Sequence, residues 1–140
     1  MQEEIRNGNP GRFDVSGRVV HFEVPVDDVE RAQAFYREAF GWRIQPRPEM
    51  RYTIVSTTDT DENGMPKEPG GINGGLMQRQ GQMTAPIITI EAENIEDALL
   101  TVEKLGGAVV APKMAVGEMG FAAYFSDTEG NVIGLWQNAR

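Results

Sequence analysis

His21 is the one histidine in a chain of 140 residues that has no cysteine. An imidazole can ligate a metal, act as a general base or serve as a hydrogen-bonded interior group. The absence of cysteine removes thiolate metal sites, disulfides and a thiol nucleophile. What His21 does therefore depends on which other donors reach its ring. Glu23 lies on the same strand face but two positions along, and Glu118 falls in a turn. Zn²⁺, Fe²⁺ and Mn²⁺ sites need three or more donors. The donor count therefore predicts no metal and no cofactor. A hydrogen-bonded interior histidine without chemistry is the competing reading.

One other stretch imitates a metal site. In D-T-D-E-N-G at 59–64, Asp59, Asp61, Asn63 and Gly64 fit the first positions of a calcium-binding EF-hand loop. The twelfth position, where a bidentate Glu belongs, is Gly70, and Pro66 and Pro69 interrupt the loop. A solvated hairpin loop is expected instead, with a turn at Asn63-Gly64. Gly71 to Gly75 is too irregular for a phosphate-binding loop and precedes a strand rather than a helix.

His21 sits in GRVVHFEVPVDDVERAQAFYREAFGW, residues 17–42. Alternation over Val19 to Val26 predicts a strand. Val29, Ala32, Phe35, Tyr36, Ala39 and Phe40 then form one stripe at helical spacing. Asp27 or Asp28 can cap this helix, and Gly41 can end it in the left-handed conformation. A fainter copy, APIITIEAENIEDALLTVEKLGGAVV, runs from Ala85 to Val110. There the stripe is Ile95, Ala98, Leu99, Val102 and Leu105. Strands are predicted at 43–46, 52–57 and 76–78 in the first copy. In the second they fall at 87–92, 108–112, 120–126 and 131–137. Each half therefore reads strand, helix, strand, strand, strand, and such a repeat dictates the fold. The expectation is α+β: two βαβββ modules, 17–80 and 85–138, after a flexible tail at 1–16. Their curved mixed sheets enclose a cleft, each sheet having a helix on only one face.

By alternation Ile133 and Leu135 face the helix, so Val132, Gly134 and Trp136 face the cleft. Tyr124 and Ala122 join them if Phe125 packs under the helix. Met77 is the counterpart of Trp136 in the first module. His21, Met77, Tyr124 and Trp136 are thus the candidate ligand-binding residues, an apolar and aromatic wall with few polar handles. The aromatic rings suit stacking on a ligand, or they fill space between sheets. His21 is the one candidate for a catalytic role.

Hydrophobic residues make up 40% of the chain, and the net charge of −8 comes from 21 acidic against 13 basic residues. That balance argues against nucleic-acid and anionic-membrane partners. No apolar run approaches the roughly 20 residues of a membrane span, and the N-terminus lacks a signal-peptide core. Cytoplasmic location is expected.

The motifs V-H-F-E-V-P-V-D-D-V-E-R-A-x-x-F-Y-x-E-x-F-G-W at 20–42 and F-x-D-x-x-G-N-x-I-G-L at 125–135 resemble the vicinal oxygen chelate superfamily. It includes glyoxalase I, bleomycin-resistance proteins and extradiol dioxygenases. The resemblance spans nearly all of residues 17–137. In metal-dependent members, ligands come from the first and last strand of each module. The matching positions here are His21, Gly75, Ile87 and Gly134, of which only His21 can bind a metal. The resemblance implies a homodimer and a glyoxalase or bleomycin-resistance-like protein with a degenerate metal site that binds a small molecule in the cleft. The alternatives are a divalent-metal lyase, isomerase or dioxygenase of glyoxalase type, and an interaction module with a closed cleft. Whether the protein is an enzyme stays open.

Overall fold

The computed structural model describes residues 17–139. The tail expected at 1–16 lies outside the described residues. The elements in chain order are β1 (Val19–Val26), α1 (Val29–Phe40), β2 (Arg43–Arg47), β3 (Tyr52–Ser56) and β4 (Gly74–Gln78). Then come β5 (Ile87–Glu91), α2 (Ile95–Lys104), β6 (Ala108–Val116), β7 (Gly120–Ser126) and β8 (Val132–Asn138). The strand-helix-strand-strand-strand order thus occurs twice in an α+β chain with mixed sheets. No described helix is long and apolar enough to cross a membrane.

The chain divides into two compact units. Residues 20–88 form the first, and residues 89–139 with 17–19 form the second. In the first unit the strand order is β2-β3-β4-β1. β1 runs parallel to β4, with Glu23 opposite Gly75, whereas β3 is antiparallel to both β2 and β4. In the second unit the order is β5-β8-β7-β6. β5 runs parallel to β8, with Thr89 opposite Gly134, and the remaining pairs are antiparallel.

Both helices begin as their sequences dictate. Asp28 accepts from the Arg31 amide at 3.0 Å and Asn94 accepts from the Asp97 amide at 2.9 Å, each satisfying a first-turn donor. Gly41, at φ 73°, ends α1 in the left-handed conformation. Gln137, on β8, gives α2 a second cap. Its side-chain oxygen accepts from the Ile95 amide at 2.8 Å.

The helices differ in how they are packed. α2 buries Ile95 and Leu99 against Ala123, Phe125 and Leu135, with Ile133 and Val102 beside them. Burial of each large side chain contributes about 1.5–3 kcal/mol. Leu105, expected in this stripe, is exposed because it stands at the C-cap, beyond the last helical turn. α1 buries no residue fully. Its expected stripe is also only partly covered: Phe35 remains 57% and Phe40 66% exposed. The aromatic rings pack on one another instead. Tyr36 stacks on Trp42 with centroids 4.6 Å apart and planes 7° from parallel. Phe40 lies 6.3 Å from both rings.

Ile95 is fully buried at the centre of the second unit's core. Ile95→Ala should lower unfolding free energy by about 2–5 kcal/mol, read by denaturant titration.

Candidate functional site

Strand alternation in the first unit gives the sheet two unlike faces. Val55, Leu76 and Thr53 lie on the face toward α1, where Gln33 donates to the Thr53 hydroxyl at 2.9 Å. His21, Glu23, Gly75, Met77 and Tyr52 take the opposite face, by their register across β1, β4 and β3. Three of them form a continuous polar chain. His21 Nε2 lies 2.8 Å from the Tyr52 hydroxyl, and that hydroxyl donates to Glu23 Oε2 at 2.8 Å. Glu23 is only 7% exposed, so its carboxylate depends on such partners for the solvation it has lost.

Two backbone features put Tyr52 there. Arg51 has φ 52° and is the one non-glycine in the left-handed region among the described residues. This conformation costs about 1 kcal/mol and turns the chain so that β3 starts opposite the end of β2. The second feature is Gly75. A Cβ at this position would lie 2.1 Å from both Cζ and Oη of Tyr52, so the ring rests on bare glycine backbone.

Burial pushes the His21 pKa below its ordinary 6.5, because the imidazolium loses hydration, and the Glu23 carboxylate raises it in part. His21 is therefore a neutral ring at neutral pH.

In the second unit Tyr124 lies opposite Gly134 and Ala122 opposite Trp136. Both pairs are on the face away from α2, as alternation predicts. A Cβ on Gly134 would lie 2.8 Å from Thr89 Oγ1 and 3.5 Å from the Tyr124 ring. Trp136 covers Gly120, where a Cβ would lie 2.6 Å from its ring. Its indole N–H donates to Asn138 at 2.8 Å. Asn138 donates in turn to Glu91 at 3.1 Å, and Arg18 donates to the other Glu91 oxygen at 2.9 Å. The indole is thus held in place by a network of its own unit.

Of the four positions that the resemblance matches to metal ligands, His21 alone has a donor side chain. Gly75 and Gly134 offer no donor, Tyr52 occupies the space a side chain at 75 would need, and Ile87 is a buried aliphatic. Among the described residues, no three of His, Asp and Glu gather closely enough to hold one ion. The 59–64 loop is a hairpin. Asp61 accepts from the Asn63 and Met65 amides at 2.8 and 3.0 Å, while Asp59 pairs with Arg43. Both carboxylates are thus engaged. A groove of about 390 Å³ lies along α1, lined by Val26, Arg31, Phe35 and Tyr36 among others. It includes none of His21, Glu23 or Tyr52.

Residues 18–58 match the family model for the bleomycin resistance protein-like N-terminal domain. A glyoxylase-like domain-containing protein of Didymella fabae is 26% identical over 120 residues, covering 82% of this chain and 89% of that one. Among solved structures, a methylmalonyl-CoA epimerase of Streptomyces coelicolor superposes with a TM-score of 0.60 at 14% identity. The match covers 89% of this chain and 99% of the epimerase. The Mycobacterium tuberculosis epimerase gives 0.57 at 12% identity, covering 90% of each chain. The fold is glyoxalase-like: an α+β chain with mixed sheets and two helices, as in these neighbours. At these identities the solved structures speak for the fold alone, which hosts many chemistries.

Sequence reasoning singled out His21 and noted Glu23, but it missed Tyr52. The usable signal was the glycine at 75, which leaves room for a ring from a neighbouring strand but was read only as a ligand position without a donor.

Two outcomes follow from this geometry. The single imidazole, followed by NMR through a pH titration, should have its midpoint below 6.5, and Glu23→Gln should lower it further. A depressed native pKa means that the unfolded chain binds the proton first. This contribution to stability is present above 6.5 and is lost as pH falls through the native pKa. Gly75→Ala should cost about 1–3 kcal/mol by thermal or denaturant unfolding, since Tyr52 must move. Wild-type stability in that variant would mean that the ring does not rest on residue 75.

Proposed function

We propose that this glyoxalase-like protein binds a small molecule without a metal, in the manner of the bleomycin-resistance branch. The observation that carries this reading is the His21–Tyr52–Glu23 chain over Gly75. It puts hydrogen-bonding groups and an aromatic ring where the family's chelating metal-binders carry ligands. The sheet face away from the helix is also where the fold leaves side chains uncovered by α1. His21 and Met77 in the first unit, and Tyr124 and Trp136 in the second, are the proposed ligand contacts. The pinned indole supports this role for Trp136, because an immobilised aromatic ring loses little entropy on stacking.

A homodimer and a cytoplasmic location belong to the same reading. The net charge of −8 argues against nucleic-acid or anionic-membrane partners. It would also favour a cationic ligand over an anionic one.

Thermal shift against a panel of metabolites and antibiotics, with and without divalent ions, tests the proposal. A ligand at a hundred times its dissociation constant stabilises the native state by about 2.7 kcal/mol. The expected result is a stabilising compound whose effect does not depend on added metal. About one divalent ion per subunit by elemental analysis, with stabilisation only in its presence, would favour the metal-dependent enzyme instead. Trp136→Ala should weaken the compound found by about tenfold in isothermal titration. Unchanged affinity would remove Trp136 from the site.

A further inference from the structure

The order of protons along the polar chain follows from elementary chemistry. A carboxylate only accepts hydrogen bonds, and a phenol has one proton to give. The Tyr52 proton goes to Glu23 at 2.8 Å. Tyr52 therefore has only lone pairs to offer His21, whose Nε2 lies 2.8 Å from the hydroxyl. To make that bond, Nε2 must carry a hydrogen. In a neutral imidazole the other nitrogen, Nδ1, is then an unprotonated acceptor. Nδ1 has no hydrogen-bond partner among the described residues.

We infer that Glu23, acting through Tyr52, fixes His21 in the Nε2–H tautomer, so that its Nδ1 selects ligands presenting an O–H or N–H donor. Glu23 and Tyr52 are positioning residues in this scheme, and His21 is the contact. The tautomer assignment stands on the hydrogen-bond chain alone; the selection of donor ligands rests on the small-molecule reading given above. Direction is the feature that matters. With the opposite order the ring would present Nδ1–H and prefer a carbonyl or carboxylate oxygen. A ligand that cannot donate leaves the half-buried Nδ1 without a partner, which is the costly outcome of a polar mismatch.

Because His21 is the chain's sole histidine, imidazole nitrogen NMR reads it without assignment. With ¹⁵N-labelled histidine at about pH 8, where an imidazole is neutral, wild-type protein should show the Nε2–H tautomer in at least about tenfold excess. Glu23→Gln puts an amide at the end of the chain that can accept or donate, so the order is no longer imposed. Tyr52→Phe keeps the ring over Gly75 but removes the link. In both variants the tautomer ratio should fall by about threefold or more, with melting curves confirming that they fold. A wild-type ring protonated at Nδ1, or a ratio unchanged in both folded variants, would overturn the inference.

Phenol and anisole serve as probes of the contact, differing in the O–H alone. Phenol should shift the Nδ1 resonance and bind about fivefold tighter than anisole. Equal binding and equal shifts would refute donor selection. If the tautomer is fixed but neither probe shifts Nδ1 up to its solubility limit, the small-molecule reading of this face is what fails, and donor selection falls with it.

Discussion

A tyrosine ring packed against a neighbouring strand needs bare backbone beneath it, and the polar chain of the first unit depends on this. Residue 75 can be a glycine with Tyr52 above it, or a side chain with Tyr52 elsewhere, but not both. The consequence is chemical as well as steric. In the chelating members of the superfamily this is a position from which a ligand projects. Here the space belongs to a phenol from the neighbouring strand, and that phenol joins the imidazole of β1 to a carboxylate two residues further on. The strain held at Arg51 is a small cost for the start of the strand that delivers the ring.

That arrangement also settles the electrostatics of the face. A carboxylate as buried as Glu23 is tolerable only with hydrogen bonds. Its charge could in principle be met by protonating His21, which would give a buried ion pair. Desolvation of the imidazolium outweighs the attraction, so the ring's pKa falls rather than rises. The Tyr52 phenol supplies one of the hydrogen bonds that this carboxylate needs. The imidazole beside it stays a neutral ring.

Much of this fold was legible because its signals are local. Period-two alternation at Val19 to Val26, a capping aspartate at 28 and a terminating glycine at 41 each act within a few residues of themselves. Parity along β8 placed Leu135 toward α2 and Trp136 away from it. Gln137 is on the helix side, where it caps α2. The Tyr52 contact was not legible. Its partners are 29 and 31 residues away in sequence, and a strand's neighbours are set by pairing, which no local period encodes. The aromatic stripe of α1 misled in a different way. Helical spacing says that Phe35 and Phe40 share a side with Tyr36, but not how far the sheet extends beneath them. Trp42 curls back to stack on Tyr36, and the outer rings are left at the rim.

The two copies show how a repeat can be put to different uses. Both keep a glycine on the last strand and a tyrosine on the strand beside it. In the second copy the tyrosine is directly opposite its glycine, and Thr89 pairs with that glycine as Glu23 pairs with Gly75 in the first. In the first it is two pairs further along, opposite Met77, and reaches back over the glycine. That offset, with a carboxylate in place of a threonine hydroxyl, creates the polar chain. The second copy instead has an apolar, buried helix interface and an indole held by Asn138 and Glu91. Tight packing of this kind confers rigidity, whereas a buried carboxylate chain confers direction on a hydrogen bond. The same strand and helix pattern therefore carries a buried apolar cluster under the helix of one copy and a polar chain on the far sheet face of the other.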